Sequence, residues 1–189
     1  MRAIKISLSV YVLELVLVPL FAACWARAEQ PHPTEPQIEA AYLYNFGKFI
    51  TWSNTSGVAT GDVFEICVLG RDPFGSILDA TVAGESIGDK KITTRKISSL
   101  QGSSHCRVLF ISSSEESRLK PALAAAKSCG TLTVSDMPHF ADKGGMIQFV
   151  PRDNKIRFEV NLPATEEAGL TLSSELLKVA VKVIGKPGN

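Results

Sequence analysis

Four cysteines are the residues of this sequence with the clearest capacity for covalent chemistry: Cys24, Cys67, Cys106 and Cys129. Cys67 lies within the apolar stretch VFEICVLG, and Cys106 directly precedes the apolar stretch RVLFIS. Both stretches are typical of buried strands, so two neighbouring strands could be joined by a disulfide in an oxidising compartment. Cys67 with Cys106 is the preferred pair. Cys129 is then either a partly buried free thiol or the site of an intermolecular bond or a redox reaction.

The other reactive side chains do not form a pattern that indicates metal binding or catalysis. The three histidines are far apart in the chain, at His32, His105 and His139, and no CxxC or HxxxH spacing indicates a zinc site. Ser117 and Lys120, with Ser135-Asp136 further on, have part of a β-lactamase pattern, but its Lys-Thr-Gly element is absent. Neither a Walker loop nor a Rossmann glycine motif follows the first strand. The sequence therefore predicts that the protein is not an enzyme and that it binds neither a metal ion nor a cofactor.

The N-terminal residues indicate where the protein works. Arg2 and Lys5 precede an apolar run over residues 6–23, and Ala26-Arg27-Ala28 follows with the small-x-small pattern of a cleavage site. An acidic residue and a proline interrupt the run, which favours a cleaved leader over a permanent membrane helix. We therefore expect residues 1–28 to be a signal peptide, which places the protein outside the cytoplasm.

The rest of the chain is expected to form one domain. Residues 29–36 are polar and rich in proline, which predicts a disordered tether, whereas residues 37–185 are enough for a single core and residues 186–189 form a tail. A formal net charge of +1 argues against nucleic-acid binding, which needs clustered basic residues. Processing at Cys24, with a lipid anchor on its thiol, is the less favoured alternative to a freely diffusing protein.

Apolar periodicity predicts alternating helices and strands. A helical face begins at Ile38 and ends near Trp52, and a capping box at Ser113 and Glu116 predicts a second helix that stops before Gly130. Strand-like and helical runs alternate between these landmarks and beyond: strands over 63–70, 91–97, 107–112 and 131–135, and a helix over 74–82. This alternation predicts an α/β fold, layered, with a mostly parallel central sheet and helices on both faces.

The C-terminal third carries a different pattern. Residues 146–150 and 155–160 are strand-like and flank a short loop, which predicts a β-hairpin. Charged residues alternate with apolar ones in its second strand, as is typical of a sheet edge. Ser173 and Gly185 are start and stop signals for a last helix.

The same segment is the best candidate for a binding surface. It holds more apolar residues than one buried helical stripe needs, so it is either a helix buried on two sides or part of a partner-binding groove. Arg157 and Glu159 lie beside it. They are either solvated residues of an edge strand or polar groups that bind a small ligand.

Several ordered strings between Ile38 and Val183 resemble the YfiR-like family of exported proteins: AAYLYNFGKFITW, ICVLGRDPFG, VLFISSSE, LTVSDMPHFADKGGMIQFV, KIRFEVNL and GLTLSSELLKVA. The resemblance implies a layered α/β fold, a homodimer without catalytic activity, and a link between Cys67 and Cys106. It also implies that the protein acts in the periplasm, binds the periplasmic sensor region of an inner-membrane diguanylate cyclase and holds the cyclase inactive. An OmpA-like outer-membrane lipoprotein would relieve this inhibition.

The resemblance also implies positions for partner binding. Five residues match the surface where the family accepts its releasing partner: Glu159, Leu162, Thr165, Leu172 and Leu177. Ala141 and Gln148 stand where some relatives carry a second cysteine pair. The expected function is therefore a periplasmic repressor that lowers cyclic-di-GMP and biofilm formation by protein contact. The alternative is a small-molecule-binding sensor, with Arg157 and Glu159 at its ligand, that acts on another membrane signalling protein.

Overall fold

The computed structural model describes residues 32–53 and 62–185. The predicted signal peptide with Cys24, the first part of the predicted tether and the predicted tail lie outside the described residues. Within those two ranges, no helix combines the length and the apolarity that a membrane crossing requires.

Helices and strands alternate along most of the described chain. The α-helices are α1 (Glu35–Phe49), α2 (Ile77–Val82), α3 (Leu119–Ser128), α4 (Leu162–Glu167) and α5 (Ser174–Val179). The first strands are β1 (Ile50–Trp52), β2 (Val63–Leu69), β3 (Ser86–Ile87), β4 (Lys90–Ile97) and β5 (Val108–Ile111). The later strands are β6 (Leu132–Ser135), β7 (Ile147–Arg152), β8 (Lys155–Asn161), β9 (Leu170–Leu172) and β10 (Lys182–Ile184). Two 3-10 helices span Leu100–His105 and Ser113–Arg118.

A central eight-stranded sheet organises the fold, in the order β10-β8-β7-β6-β5-β2-β4-β3. The neighbours from β7 through β6, β5 and β2 to β4 are parallel, and β10 is parallel to β8. Antiparallel pairing is confined here to β7 with β8 and to β3 with β4. A separate two-stranded sheet joins β1 to β9. The predicted layered α/β fold with a mostly parallel sheet and a C-terminal hairpin is confirmed.

Two apolar cores lie on opposite faces of the sheet, because successive side chains of a strand point to opposite sides. In β2, Ile66 and Val68 belong to the larger core, whereas Cys67 and Leu69 belong to the smaller one. Helix α1 covers the larger core with fully buried residues that include Phe46, and α3 covers the smaller core. Both faces of the central strands are therefore buried, which explains their continuous apolar sequences.

The predicted hairpin forms, and its turn is tighter than the sequence indicated. Asp153 and Asn154 have positive φ angles of 51° and 56°, so they form the two-residue turn that suits the twist of paired strands. Pro151 and Arg152 belong to β7 instead of the loop. Pro151 is opposite Ile156 in the ladder.

The prediction of one last helix from Ser173 to Gly185 is wrong. Helix α5 ends at Val179, and Val181 donates its N–H to Phe158 O at 2.9 Å as the chain enters β10. Alternating β-branched residues after Val179 favour a strand, and the open side of β8 supplies the partner. Strand β10 pairs with the last three residues of β8, Glu159 to Asn161, so the prediction of an edge strand is wrong for that part of β8.

The start of the helix after β5 also differs from the prediction. Ser112, not Ser113, is the cap, and its hydroxyl accepts the N–H of Ser114 at 3.4 Å. A 3-10 helix follows, and α3 begins only at Leu119. Glu116 pairs instead with Lys143 at 2.7 Å. A serine one residue earlier satisfies the same unpaired backbone groups, so the sequence pattern alone could not place the cap.

The first helix is shifted toward the N-terminus. It begins at Glu35, where Thr34 donates its N–H to Gln37 Oε1 at 2.7 Å, so the last two residues of the predicted tether are helical. It ends at Phe49, and the residues up to Trp52 form β1 instead of a last helical turn. Pairing of β1 with β9 outweighs helical periodicity there.

Candidate functional site

The predicted disulfide between Cys67 and Cys106 is confirmed. It joins β2 to the residues that enter β5, with a Cα–Cα distance of 5.8 Å, and both cysteines are fully buried. Glu65 lies close to both sulfur atoms and pairs with Arg95 at 2.6 Å. Because the two sulfur atoms are bonded to each other, they supply no thiolate for a metal ion. The role of the disulfide between Cys67 and Cys106 is therefore structural, within the smaller core.

Cys129 has a free thiol at the end of α3. Its side chain is half-buried, and its Sγ lies 4.0 Å from Ser128 Oγ. The structure agrees with the predicted position before Gly130. A role in an intermolecular bond or a redox reaction stays a prediction.

The candidate catalytic residues do not converge. His139 Nδ1 lies 3.5 Å from Asp142 Oδ2, and no hydrogen bond among the described residues joins this histidine to a serine. Ser135 is fully buried, donates to Ile111 O at 2.6 Å and accepts the N–H of Met137 at 3.0 Å. This serine hydroxyl is therefore part of the backbone scaffold, without access to a substrate.

The topological switch point of the sheet lies between β2 and β5. After β2 the chain first adds β4 on one side of β2, and it then adds β5 on the other side. Sheets of this kind usually bind ligands in the crevice beyond the carboxyl ends of these strands. Here Arg71 donates its N–H to Ser114 Oγ at 2.9 Å, and a Cβ on Gly70, which has φ +89°, would lie 2.5 Å from that oxygen. Buried Glu115, paired with Arg118 at 2.6 Å, fills the space beside them. The chain's own side chains thus occupy the usual ligand crevice.

Four of the five expected partner-binding residues divide into two groups. Leu162 and Leu177 are half-buried and present apolar atoms at the surface of α4 and α5. Thr165 is fully buried and donates to Leu162 O at 2.7 Å, and Leu172 is 8% exposed within the larger core. In this conformation the second group supports the surface and does not form it.

Arg157 and Glu159 lie on one face of β8, opposite its core-facing residues. Lys182 Nζ in β10 lies 3.7 Å from Glu159 Oε2 and 3.5 Å from Asp142 Oδ1. The structure therefore places Glu159 in a charged row that links three segments. Its role, and that of Arg157, in binding a partner or a ligand stays a prediction.

A pair of hydrogen bonds occupies the place of the second cysteine pair of some relatives. Ala141 donates its N–H to Gln148 Oε1 at 3.1 Å, and Asn161 Nδ2 donates to Ala141 O at 2.8 Å. These contacts hold the turn after β6 against β7 and β8. No oxidation is needed to form them.

Exposed apolar side chains mark parts of the surface that sequence reasoning only partly found. Val179 at the end of α5 is 60% exposed and lies in the apolar C-terminal segment. Phe49 and Val63 are also exposed, although their sequence patterns gave no such signal. Val179, on the same helix as Leu177, extends the candidate partner surface.

A buried acidic residue on α1 was not predicted. Burial, with smaller contributions from the negative charges of Asp136 and Glu35, raises the pKa of Glu39 to about 7. Asp136 directly follows β6, so this group connects α1 with the carboxyl edge of the sheet. The only sequence signal was an acidic residue directly between the apolar residues Ile38 and Ala40.

Comparison with known proteins identifies the family of this domain. A family model described as YfiR/HmsC-like (DUF4154) matches residues 36–181, which is most of the chain. No curated protein matches this chain.

Solved structures share the fold at low sequence identity. A conserved domain protein from Vibrio cholerae O1 biovar El Tor superposes with a TM-score of 0.56 at 11% identity, over 79% of this chain and 60% of that one. The ABC domain of Streptococcus pneumoniae, solved in complex with L-Trp, superposes with a TM-score of 0.53 at 13% identity, over 77% of this chain and 60% of that one. This chain thus spans about 60% of the length of these structures. The likeness concerns the fold alone.

Proposed function

Because this chain belongs to the YfiR/HmsC-like family, we propose that it is a periplasmic regulatory protein that restrains an inner-membrane diguanylate cyclase. It binds the periplasmic sensor region of the cyclase and thereby lowers cyclic-di-GMP and biofilm formation. An OmpA-like outer-membrane lipoprotein releases the cyclase by binding the repressor, which acts as a homodimer. The repressor itself performs no chemical reaction.

The family match over residues 36–181 is the observation that carries this proposal. Two features of the described residues support it. The crevice at the switch point is filled by Ser114 and Glu115, which leaves little room there for a substrate. The disulfide between Cys67 and Cys106 is consistent with an exported protein, since such bonds persist in oxidising compartments.

The proposed contact surface lies on the C-terminal segment. Leu162, Leu177 and Val179 supply exposed or half-exposed apolar atoms, and Glu159 supplies a charge beside them. An apolar anchor with a charged rim is the usual composition of a protein interface.

Deleting the gene in its host tests the proposal. Cyclic-di-GMP and biofilm should both rise, and reintroducing the intact gene should return both to their wild-type levels. A gene without residues 1–28 should fail to restore them, because the protein would stay on the wrong side of the membrane. Unchanged cyclic-di-GMP after deletion, with the cyclase expressed and active, would contradict the proposal.

A further inference from the structure

A groove on the outer side of α3 is lined by residues other than those of the apolar C-terminal surface. It lies between α3, the turn at Lys143-Gly144 and α4, and its volume is about 200 Å³. The α3 residues that line it are spaced as one helical face: Lys120, Leu123, Ala124 and Lys127. Ala164 and Glu167 of α4 form the opposite wall.

The floor of the groove is apolar and lacks bulk. Leu123 is half-buried against the smaller core, and Gly144 lies close to it, since a Cβ there would be 3.8 Å from a Leu123 methyl carbon. Ala124 and Ala164 have side chains too short to fill the space between the two helices. The groove is therefore deep enough to receive a single apolar side chain from another molecule.

Three lysines lie around this floor, two on α3 and one at the turn, and Glu167 lies on the α4 wall. Lys127 Nζ lies 2.6 Å from Glu167 Oε2, and Lys143 Nζ lies 2.7 Å from Glu116 Oε1. Lys120 has no ion pair among the described residues. Three cations against two carboxylates leave an excess positive charge around an apolar slot.

Exposed ion pairs of this kind contribute little to folding stability, and a ligand carboxylate can replace the internal one at small cost. Anionic groups on both sides of an apolar anchor would match the rim and the floor together. An acidic protein segment satisfies both conditions, because it supplies carboxylates on both sides of an apolar side chain. Charges at a rim speed association, and a buried anchor slows dissociation.

We propose that the groove between α3 and α4 binds an acidic segment of a protein partner, with one apolar side chain of that segment seated between Ala124 and Ala164. The inference rests on the proposed function, which requires a protein partner. It adds a second contact surface and the charge of the segment that fits it.

A peptide experiment tests the groove directly. The probe is a fluorescein-labelled peptide of sequence EEELLEEE, with QQQLLQQQ as its uncharged counterpart, and binding to the folded chain is followed by fluorescence anisotropy. The acidic peptide should bind more tightly than its counterpart, and its affinity should fall as salt is added. Equal binding of the two peptides, or no binding of the acidic one, would overturn the proposal.

Variants locate the binding site. Lys120→Glu combined with Lys127→Glu should weaken binding of EEELLEEE about fivefold or more, whereas Lys91→Glu, an exposed lysine of β4 with no ion pair among the described residues, should not change it. Ala124→Phe fills the slot without a change of charge and should also weaken binding. Circular dichroism melting identifies any variant that fails to fold, and Ala124→Phe then decides. Loss of binding with Lys91→Glu alone would overturn the assignment.

Two other occupants are covered by the same variants. Binding to vesicles that contain phosphatidylglycerol, but not to EEELLEEE, would overturn the proposal in favour of a lipid surface. A change of oligomeric state with Lys120→Glu and Lys127→Glu, measured by sedimentation, would overturn it in favour of a second copy of the chain.

Measurements in the host separate this proposal from the proposed function. If deletion of the gene raises cyclic-di-GMP but the Lys120→Glu, Lys127→Glu protein still represses fully, the groove proposal fails and the proposed function stands. If deletion has no effect while the peptide binds at the groove, the proposed function fails and the groove proposal stands. Repression lost in the double variant, with a normal melting temperature, supports both.

Discussion

Glu39 on α1 and Asp136 after β6 are electrostatically coupled across the carboxyl edge of the sheet. Burial is the main reason that the pKa of Glu39 rises from 4.5 to about 7, and the negative charge of Asp136 adds to it. A carboxyl group that binds its proton more tightly in the folded than in the unfolded chain makes stability depend on pH.

The sign of that dependence follows from the two pKa values. Between about 4.5 and 7 the folded state binds more protons than the unfolded state, so this group's contribution to stability is lost as the pH rises through that window. We expect Glu39→Gln to raise the melting temperature at pH 8 by a few degrees and to have little effect at pH 4. Calorimetry at both pH values, with exposed Glu166→Gln as the control, measures it. A larger gain at pH 4 would contradict the assignment.

The disulfide should be the largest single covalent contribution to stability. Cys67 and Cys106 are 39 residues apart, and closing a loop of that length stabilises by roughly 4 kcal/mol in the chain-entropy model. Replacing both by serine should therefore lower the melting temperature by about 10 °C for a domain of this size. Thermal melts with and without reductant measure the effect.

Cys129 provides the matched control for the disulfide. Cys129→Ser should leave the melting temperature and its sensitivity to reductant nearly unchanged, because this thiol is free and half-buried. If reductant changes nothing in the wild-type protein, the stabilising role of the bridge is wrong.

Leu172 and Leu177 should separate folding from partner binding. Leu172 is buried in the larger core, so Leu172→Ala should cost about 2–4 kcal/mol of unfolding free energy. Leu177→Ala, at a half-buried position, should cost less and should weaken binding to the periplasmic part of the OmpA-like lipoprotein, the releasing partner. Val179→Ser, at an exposed position, should change stability by less than about 0.5 kcal/mol.

Denaturant unfolding and a binding titration on the same three variants test this division. The expected order of destabilisation is Leu172→Ala, then Leu177→Ala, then Val179→Ser. A Leu172→Ala protein as stable as the wild type would show that β9 is not part of the core.

Gly70 should tolerate no side chain. Its φ is +89°, and a Cβ would lie 2.5 Å from Ser114 Oγ and 2.7 Å from Glu115 Cγ. Gly70→Ala therefore combines backbone strain with a steric clash, and we expect a loss of about 2–4 kcal/mol.

Gly84 isolates the backbone contribution. Its φ is +78°, but nothing lies within 4 Å of a Cβ placed there. Gly84→Ala should cost only about 1 kcal/mol. Urea unfolding of both variants gives the difference, and equal losses would mean that the switch-point crevice is less tightly filled than described.

The sequence predicted those features that depend on local pattern and continuous apolarity. The strands around Cys67 and Cys106 were identifiable because a parallel sheet buries both faces, and this also made their disulfide predictable. The hairpin was predicted because a short loop over residues 151–154 separates two strand-like runs.

The errors occurred where tertiary pairing decides between two local preferences. Residues 180–184 follow a good helix and are equally suited to a strand, and only the open side of β8 selects β10. Likewise Trp52 continues the periodicity of α1, but it pairs with Leu170 of β9. Buried Glu39 could not be anticipated, since its carboxyl partner Asp136 is distant in the chain.

The position of β10 has a consequence for the order of folding. The last three residues of β8 lie in the interior of the sheet only because β10, near the end of the chain, pairs with their outer side. As the chain is synthesised from its N-terminus, β8 has an uncovered hydrogen-bonding edge until the last residues are available. An incomplete chain therefore exposes an edge on which other strands can assemble, and a truncation after α5 should favour aggregation over a smaller folded domain.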